Sequence, residues 1–151
     1  MTRLILMCGL PGSGKTTQAR HLAATLPAVR LSPDEWLAGL GLSLFDIPMR
    51  DRVEQLLWQH AQHLLTLGQD VILENGFWGR TERAGYRDTA RTLGATVHLH
   101  YLDTPLDVLK HRRRDLLTAA QMDDCAALFE PPDTTELNTY DPPITPPVTA
   151  P

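Results

Sequence analysis

Apolar runs of strand length alternate along this chain with stretches in which apolar residues recur every third or fourth position. Leu4-Ile5-Leu6-Met7-Cys8 is a continuous apolar run, the mark of a strand buried on both faces. Ala19, Leu22, Ala23 and Leu26 then share the buried stripe of a helix from Lys15 to about Leu26, which Pro27 ends. Val29, Arg30 and Leu31 predict a short second strand. Ser32-Pro33-Asp34-Glu35 is a cap-and-turn signal that opens a short helix through Trp36 and Leu37. After a flexible connection from Gly39 to Pro48, Val53, Leu56, Leu57, Ala61, Leu64 and Leu65 fall on one face of a long helix that Gly68 stops. Val71, Ile72 and Leu73 predict a third strand ending in Glu74-Asn75-Gly76, and a polar helix follows from about Thr81 to Leu93. Thr96 to Leu102 predicts a fourth strand, Pro105 fits the first turn of a helix to about Arg114, and a last helix covers Ala119 to Phe129. Such alternation predicts an α/β fold with helices on both faces of a mostly parallel sheet of about four to five strands.

The pattern changes at the end of the chain. Seven of the twelve prolines, Pro131, Pro132, Pro142, Pro143, Pro146, Pro147 and Pro151, stand among Asp and Thr there. The spacing predicts one domain over 1–130 and an extended tail or surface strap over 131–151 with little regular structure.

A chain of 151 residues can bury roughly 70% of its unfolded surface, enough for a core without disulfides or structural metal. Cys8 and Cys125 lie far apart with no metal or redox spacing, which suits a reduced, cytoplasmic protein. One basic residue, Arg3, and a short apolar run before the glycines predict neither a signal peptide nor a membrane span. A net charge of -4 argues against broad nonspecific nucleic-acid binding while leaving a local basic groove open.

Directly after the first strand, Gly9-Leu10-Pro11-Gly12-Ser13-Gly14-Lys15-Thr16 fits the phosphate-cradling pattern G-x-x-x-x-G-K-[ST]. Gly9 and Gly14 permit backbone angles that a Cβ would block, so successive amides turn toward phosphate oxygens. The amides from Gly12 through Ser13, Gly14, Lys15 and Thr16 to Thr17 are the expected ATP contacts. Lys15 brings a positive charge to the β/γ-phosphates and Thr16 offers a hydroxyl to Mg²⁺. Spacing alone does not say whether such a protein switches, pumps or phosphorylates.

Asp34 follows the second strand at the same sheet edge, where a carboxylate can take the proton of an attacking hydroxyl. The competing reading is a helix cap, a role that Ser32 can already fill. Four segments together, Gly9 to Thr17, Leu31 to Trp36, Val71 to Arg80 and Tyr101 to Pro105, resemble the small P-loop kinases related to phage polynucleotide kinase, zeta toxin and chloramphenicol phosphotransferase, an AAA-type ATP-binding family. The resemblance runs from Arg3 to about Arg114 and more loosely to Pro132. It implies a three-layer α/β/α P-loop NTPase fold of the nucleotide-kinase type and ATP-dependent phosphoryl transfer to a hydroxyl, with Asp34 as general base. The family's members phosphorylate nucleic-acid ends, sugar nucleotides and antibiotics. The expected acceptor here is a small or nucleotide-like molecule first and a 5′-hydroxyl nucleic-acid end second; a noncatalytic ATP-binding module is the other reading.

Glu74 either assists Mg²⁺ or the acceptor or merely ends a strand. Phe77, Trp78 and Arg80, with Arg83 beyond, either wall an acceptor pocket or pack the sheet edge with the arginines in water. Of Arg112, Arg113 and Arg114, the expected phosphate-facing pair is Arg112 and Arg114, although cations also suit a helix C-terminus. The family carries a longer arginine-rich lid than the segment available here. His60, His63, His98 and His100 read as surface or packing residues, because no third ligand stands near them.

Overall fold

The computed structural model describes residues 1–145. Its parallel sheet has four strands, β1 (Arg3–Cys8), β2 (Ala28–Leu31), β3 (Asp70–Gly76) and β4 (Thr96–Tyr101), in the order β2-β3-β1-β4. The helices are α1 (Lys15–Thr25), α2 (Pro33–Gly39), α3 (Ile47–Thr66), α4 (Arg80–Thr92), α5 (Leu106–Arg112), α6 (Ala119–Leu128) and α7 (Thr134–Leu137).

Period-two alternation divides the central strand between two cores. Leu4, Leu6 and Cys8 join Leu37, Val53, Leu57, Ala61, Leu65 and Ala90 on the face covered by α2, α3 and α4. Ile5 and Met7 meet Ala19 and Leu22 of α1 on the other. The result is three layers. All four strands point the same way, so the β1–α1, β2–α2 and β3–α4 connections gather at one edge, where ligands meet open α/β sheets.

Two expectations need correction. Leu56 is 58% exposed, because Val53, Leu57, Ala61 and Leu65 alone form the buried stripe of α3. The strap is also more ordered than its prolines suggest: Asp133 caps α7, and the Asp141 amide and carboxylate both bond Val97 at the edge of β4. Residues 146–151 of the expected tail lie outside the described residues.

His98 and His100 hold that strap. Nδ1 of His98 is 2.6 Å from the Pro142 carbonyl, and Nε2 of His100 accepts from the Ile144 amide at 3.1 Å. Burial, and secondarily the charge of His98, lowers the pKa of His100 from 6.5 to about 4. The folded state therefore favours neutral imidazole while the unfolded chain takes up a proton first. Stability is retained above pH 6.5 and falls as pH drops toward 4, by about 3 kcal/mol in total. Denaturant unfolding of His100→Gln should have a shallower slope over this pH range than the parent; equal slopes would remove His100 as the cause.

Candidate active site

The glycine loop leaves β1 at Gly9, whose amide donates to the Gly76 carbonyl at 3.0 Å, so the ends of β1 and β3 are tied together. Gly14 adopts φ 100° as the residue before α1, a conformation that directs the first amides of the helix into the loop. Lys15 folds back over the loop, its Nζ donating to the carbonyls of Gly9 at 2.8 Å and Leu10 at 3.1 Å. Burial lowers its pKa from 10.5 to about 8, with Asp34 the largest influence pulling the other way. A desolvated ammonium held by two neutral carbonyls is poised for a polyanion.

Beside it, Thr16 Oγ1 donates to Glu74 Oε1 at 2.8 Å, and the other oxygen of Glu74 pairs with Arg30. The Glu74 side chain is 2% exposed, so Arg30 balances a charge that water does not reach. The Thr16 hydroxyl and Glu74 carboxylate are hard oxygen donors next to the loop, a set that suits Mg²⁺.

Asp34 stands in the first turn of α2. Ser32 caps that helix by accepting from the Glu35 amide at 3.3 Å, so the Asp34 carboxylate is left to face the cleft, where it pairs with Arg50 of α3. Arg50 also lies 3.7 Å from Glu54. Burial raises Glu54 from 4.5 to about 7 against the pull of Arg50, and nearby Glu82, Asp51 and Asp34 add to the rise.

One cleft of about 1110 Å³ joins these groups. Gly12, Ser13, Gly14, Lys15, Thr16 and Thr17 line it together with Asp34, Glu74, Phe77 and Trp78. Arg112 also lines it and donates to the Gly12 carbonyl at 3.0 Å. Arg114 does not: α5 ends at Arg112, and the turn that follows directs Arg114 back to the His111 carbonyl. Arg113 takes the expected place of Arg114, packed so closely on Gly12 that an added Cβ would come within 2.7 Å of its side chain. Arg80 is likewise outside the cleft, 3.3 Å from Asp133 of the strap. Arg83 is neither a cleft residue nor solvated; it is fully buried against Glu136.

Sequence reasoning missed Arg50, Glu54 and Arg113. A signal for the first two was present: Asp46 accepts from the Met49 amide and Pro48 sits in the first turn, so the start of α3 carries a cap signature inside the stretch read as a connection. Nothing local separates Arg113 from Arg114.

No curated protein matches the chain in sequence. Among solved structures, an unliganded sugar kinase from Janibacter sp. HTCC2649 is 24% identical with a TM-score of 0.67, over 90% of this chain and 82% of its own. The Mycobacterium tuberculosis APS kinase, solved with AMPPNP and APS, is 22% identical with a TM-score of 0.69, over 98% of this chain and 90% of its own. A chain of the Pnkp1/Rnl/Hen1 RNA repair complex gives a TM-score of 0.74 at 19% identity; 93% of this chain aligns, spanning 46% of that one. These likenesses establish the three-layer P-loop fold. The family match runs over residues 4–132, from the first strand past the last long helix, and on it the chain belongs to the AAA domain family.

Proposed function

We propose that this protein is an ATP-dependent phosphotransferase that moves the γ-phosphate to a hydroxyl of a small-molecule acceptor, with Asp34 as general base. The observation that carries the reading is that Lys15, Asp34 and the hydrogen-bonded Thr16–Glu74 pair line one cleft. The volume of about 1110 Å³ leaves room for an acceptor beside a nucleotide.

In this reading Lys15 leaves its carbonyls for the β/γ-phosphates, and the loop amides hold the same oxygens. Arg112 and Arg113 bring positive charge over Gly12, the side from which a short lid would cover the phosphates. Thr16 and Glu74 would hold Mg²⁺, which when bound neutralises charge on the transferring phosphoryl oxygens. Arg50 fixes the Asp34 carboxylate, which accepts the hydroxyl proton as the acceptor oxygen attacks.

Electrostatics favour a small acceptor over a nucleic-acid end. Asp34, Glu54 and Glu82 line the cleft, and Arg50, which pairs with Asp34, is also engaged by Glu54. A phosphodiester chain would meet these carboxylates beside Asp34. ADP formation in the presence of neutral polyols, amino alcohols, sugar phosphates and 5′-hydroxyl oligonucleotides tests the assignment. Acceleration by an uncharged or cationic hydroxyl compound is expected, whereas acceleration only by oligonucleotides would replace the proposed acceptor class. ATP binding without acceptor-dependent turnover would favour a noncatalytic module.

A second expectation follows from Lys15. With a pKa of about 8 in the free protein, it is about half neutral at pH 8, and an adjoining polyphosphate favours its charged form. The Lys15-dependent part of the proton uptake on ATP binding should therefore be larger at pH 8 than at pH 6.5. Calorimetry in buffers of different ionisation enthalpy measures this uptake; Lys15→Met should abolish it, and equal uptake at both pH values would contradict the assignment.

A further inference from the structure

The wall of the cleft at the end of β3 is held in a conformation that its own sequence does not favour. Phe77 has φ 52°, the one positive value at a non-glycine position among the described residues. An aromatic side chain seldom adopts this region unless its surroundings impose it. Gly76 before it has φ 90°, and Trp78 after it donates its indole N–H to the Gly9 carbonyl at 3.2 Å, the same carbonyl that receives Lys15. The turn thus couples the acceptor side of the cleft to the phosphate loop.

Arg83 imposes the turn. Its Nη1 donates to the Phe77 carbonyl at 2.8 Å, while Nε and Nη2 form a two-point pair with Glu136 at 2.6 and 2.8 Å. Arg83 is 0% exposed and Glu136 3%. A planar guanidinium with one edge fixed by a carboxylate has no freedom to turn its remaining N–H away, so the position of Glu136 sets the position of the Phe77 carbonyl. The segment leading into the strap adds a second tie, the Glu130 amide donating to the Trp78 carbonyl at 2.8 Å. Glu136 lies beyond residues 4–132, where the family match ends.

We infer that Glu136, acting through Arg83, is a positioning residue that fixes the Phe77–Trp78 wall and so the acceptor's place in the cleft. The acceptor part of this inference rests on the proposed phosphotransferase reading; the part concerning the wall does not.

The test uses the full chain with Trp36→Phe and Trp58→Phe, which leaves Trp78 as the sole tryptophan. Arg83→Met/Glu136→Leu removes both charges together, a replacement that buried ion pairs tolerate in stability. Arg83→Lys keeps an ion pair but lacks the second nitrogen that reaches Phe77. Acrylamide quenching of Trp78 should rise in both variants. The KM for the acceptor identified in wild-type assays should rise about 10- to 100-fold while the ATP KM changes little. Folded variants with wild-type quenching would overturn the inference, as would a rise in quenching with an unchanged acceptor KM. If the wild type transfers phosphate to nothing, the phosphotransferase reading fails, and the quenching result still decides whether Glu136 holds the wall. Should the double variant not fold, Arg83→Lys decides the outcome alone.

Discussion

Asp34→Asn is expected to lower phosphoryl transfer by about 10²- to 10⁴-fold, or about 3–5 kcal/mol of transition-state stabilisation, with little change in ATP affinity. Asparagine keeps the shape of the side chain and removes its capacity to accept a proton. The α2 cap does not depend on it, because Ser32 bonds the Glu35 amide. Its partner Arg50 retains Glu54 at 3.7 Å, and the Asp34 side chain is 53% exposed, so loss of the pair should cost at most about 1 kcal/mol of stability. Single-turnover transfer, nucleotide binding and thermal unfolding measured together separate the possibilities. An equal fall in affinity and transfer, or a large fall in melting temperature, would place Asp34 in folding instead of chemistry.

The largest expected stability effect lies outside the cleft. Glu136→Leu leaves the Arg83 guanidinium fully buried without its counter-charge, and breaking such a pair from one side costs about 3–5 kcal/mol. That is a large share of the total stability of a domain and should lower the melting temperature by about 10 °C or more. Restoring balance with Arg83→Met in the same chain should recover most of the loss. A fall below about 1 kcal/mol in the single variant, measured by denaturant unfolding, would mean that the strap does not close over Arg83.

The fold was legible where information is local. The run Leu4 to Cys8, the glycine loop and the start of α1 are adjacent in sequence, and each constrains the next. β2, β3 and β4 were legible as apolar runs ended by turn residues, and the parallel sheet follows from the helices between them. Leu56 was misplaced because a three-to-four spacing fits two neighbouring stripes of a helix, and only packing chooses between them.

In the site, Lys15, Thr16 and Asp34 were readable from motif and strand-end position. The arginines were not. Arg83 sits in a polar helix that reads as solvated, and its partner lies 53 residues away in a segment whose prolines suggest an open tail. Which of Arg112, Arg113 and Arg114 enter the cleft depends on where α5 stops, a boundary that fraying and the next helix set together. Long-range charge pairing leaves no period in sequence, and this is why the residues lining the cleft were easier to read than those that support it.

Phosphorus NMR of the wild-type protein with ATP, Mg²⁺ and the polyol and amino-alcohol acceptors observes the transferred group itself. A new phosphomonoester resonance is expected to grow at the same rate as ADP and to be absent with Asp34→Asn. Release of inorganic phosphate alone, at a rate indifferent to Asp34, would contradict the phosphotransferase reading.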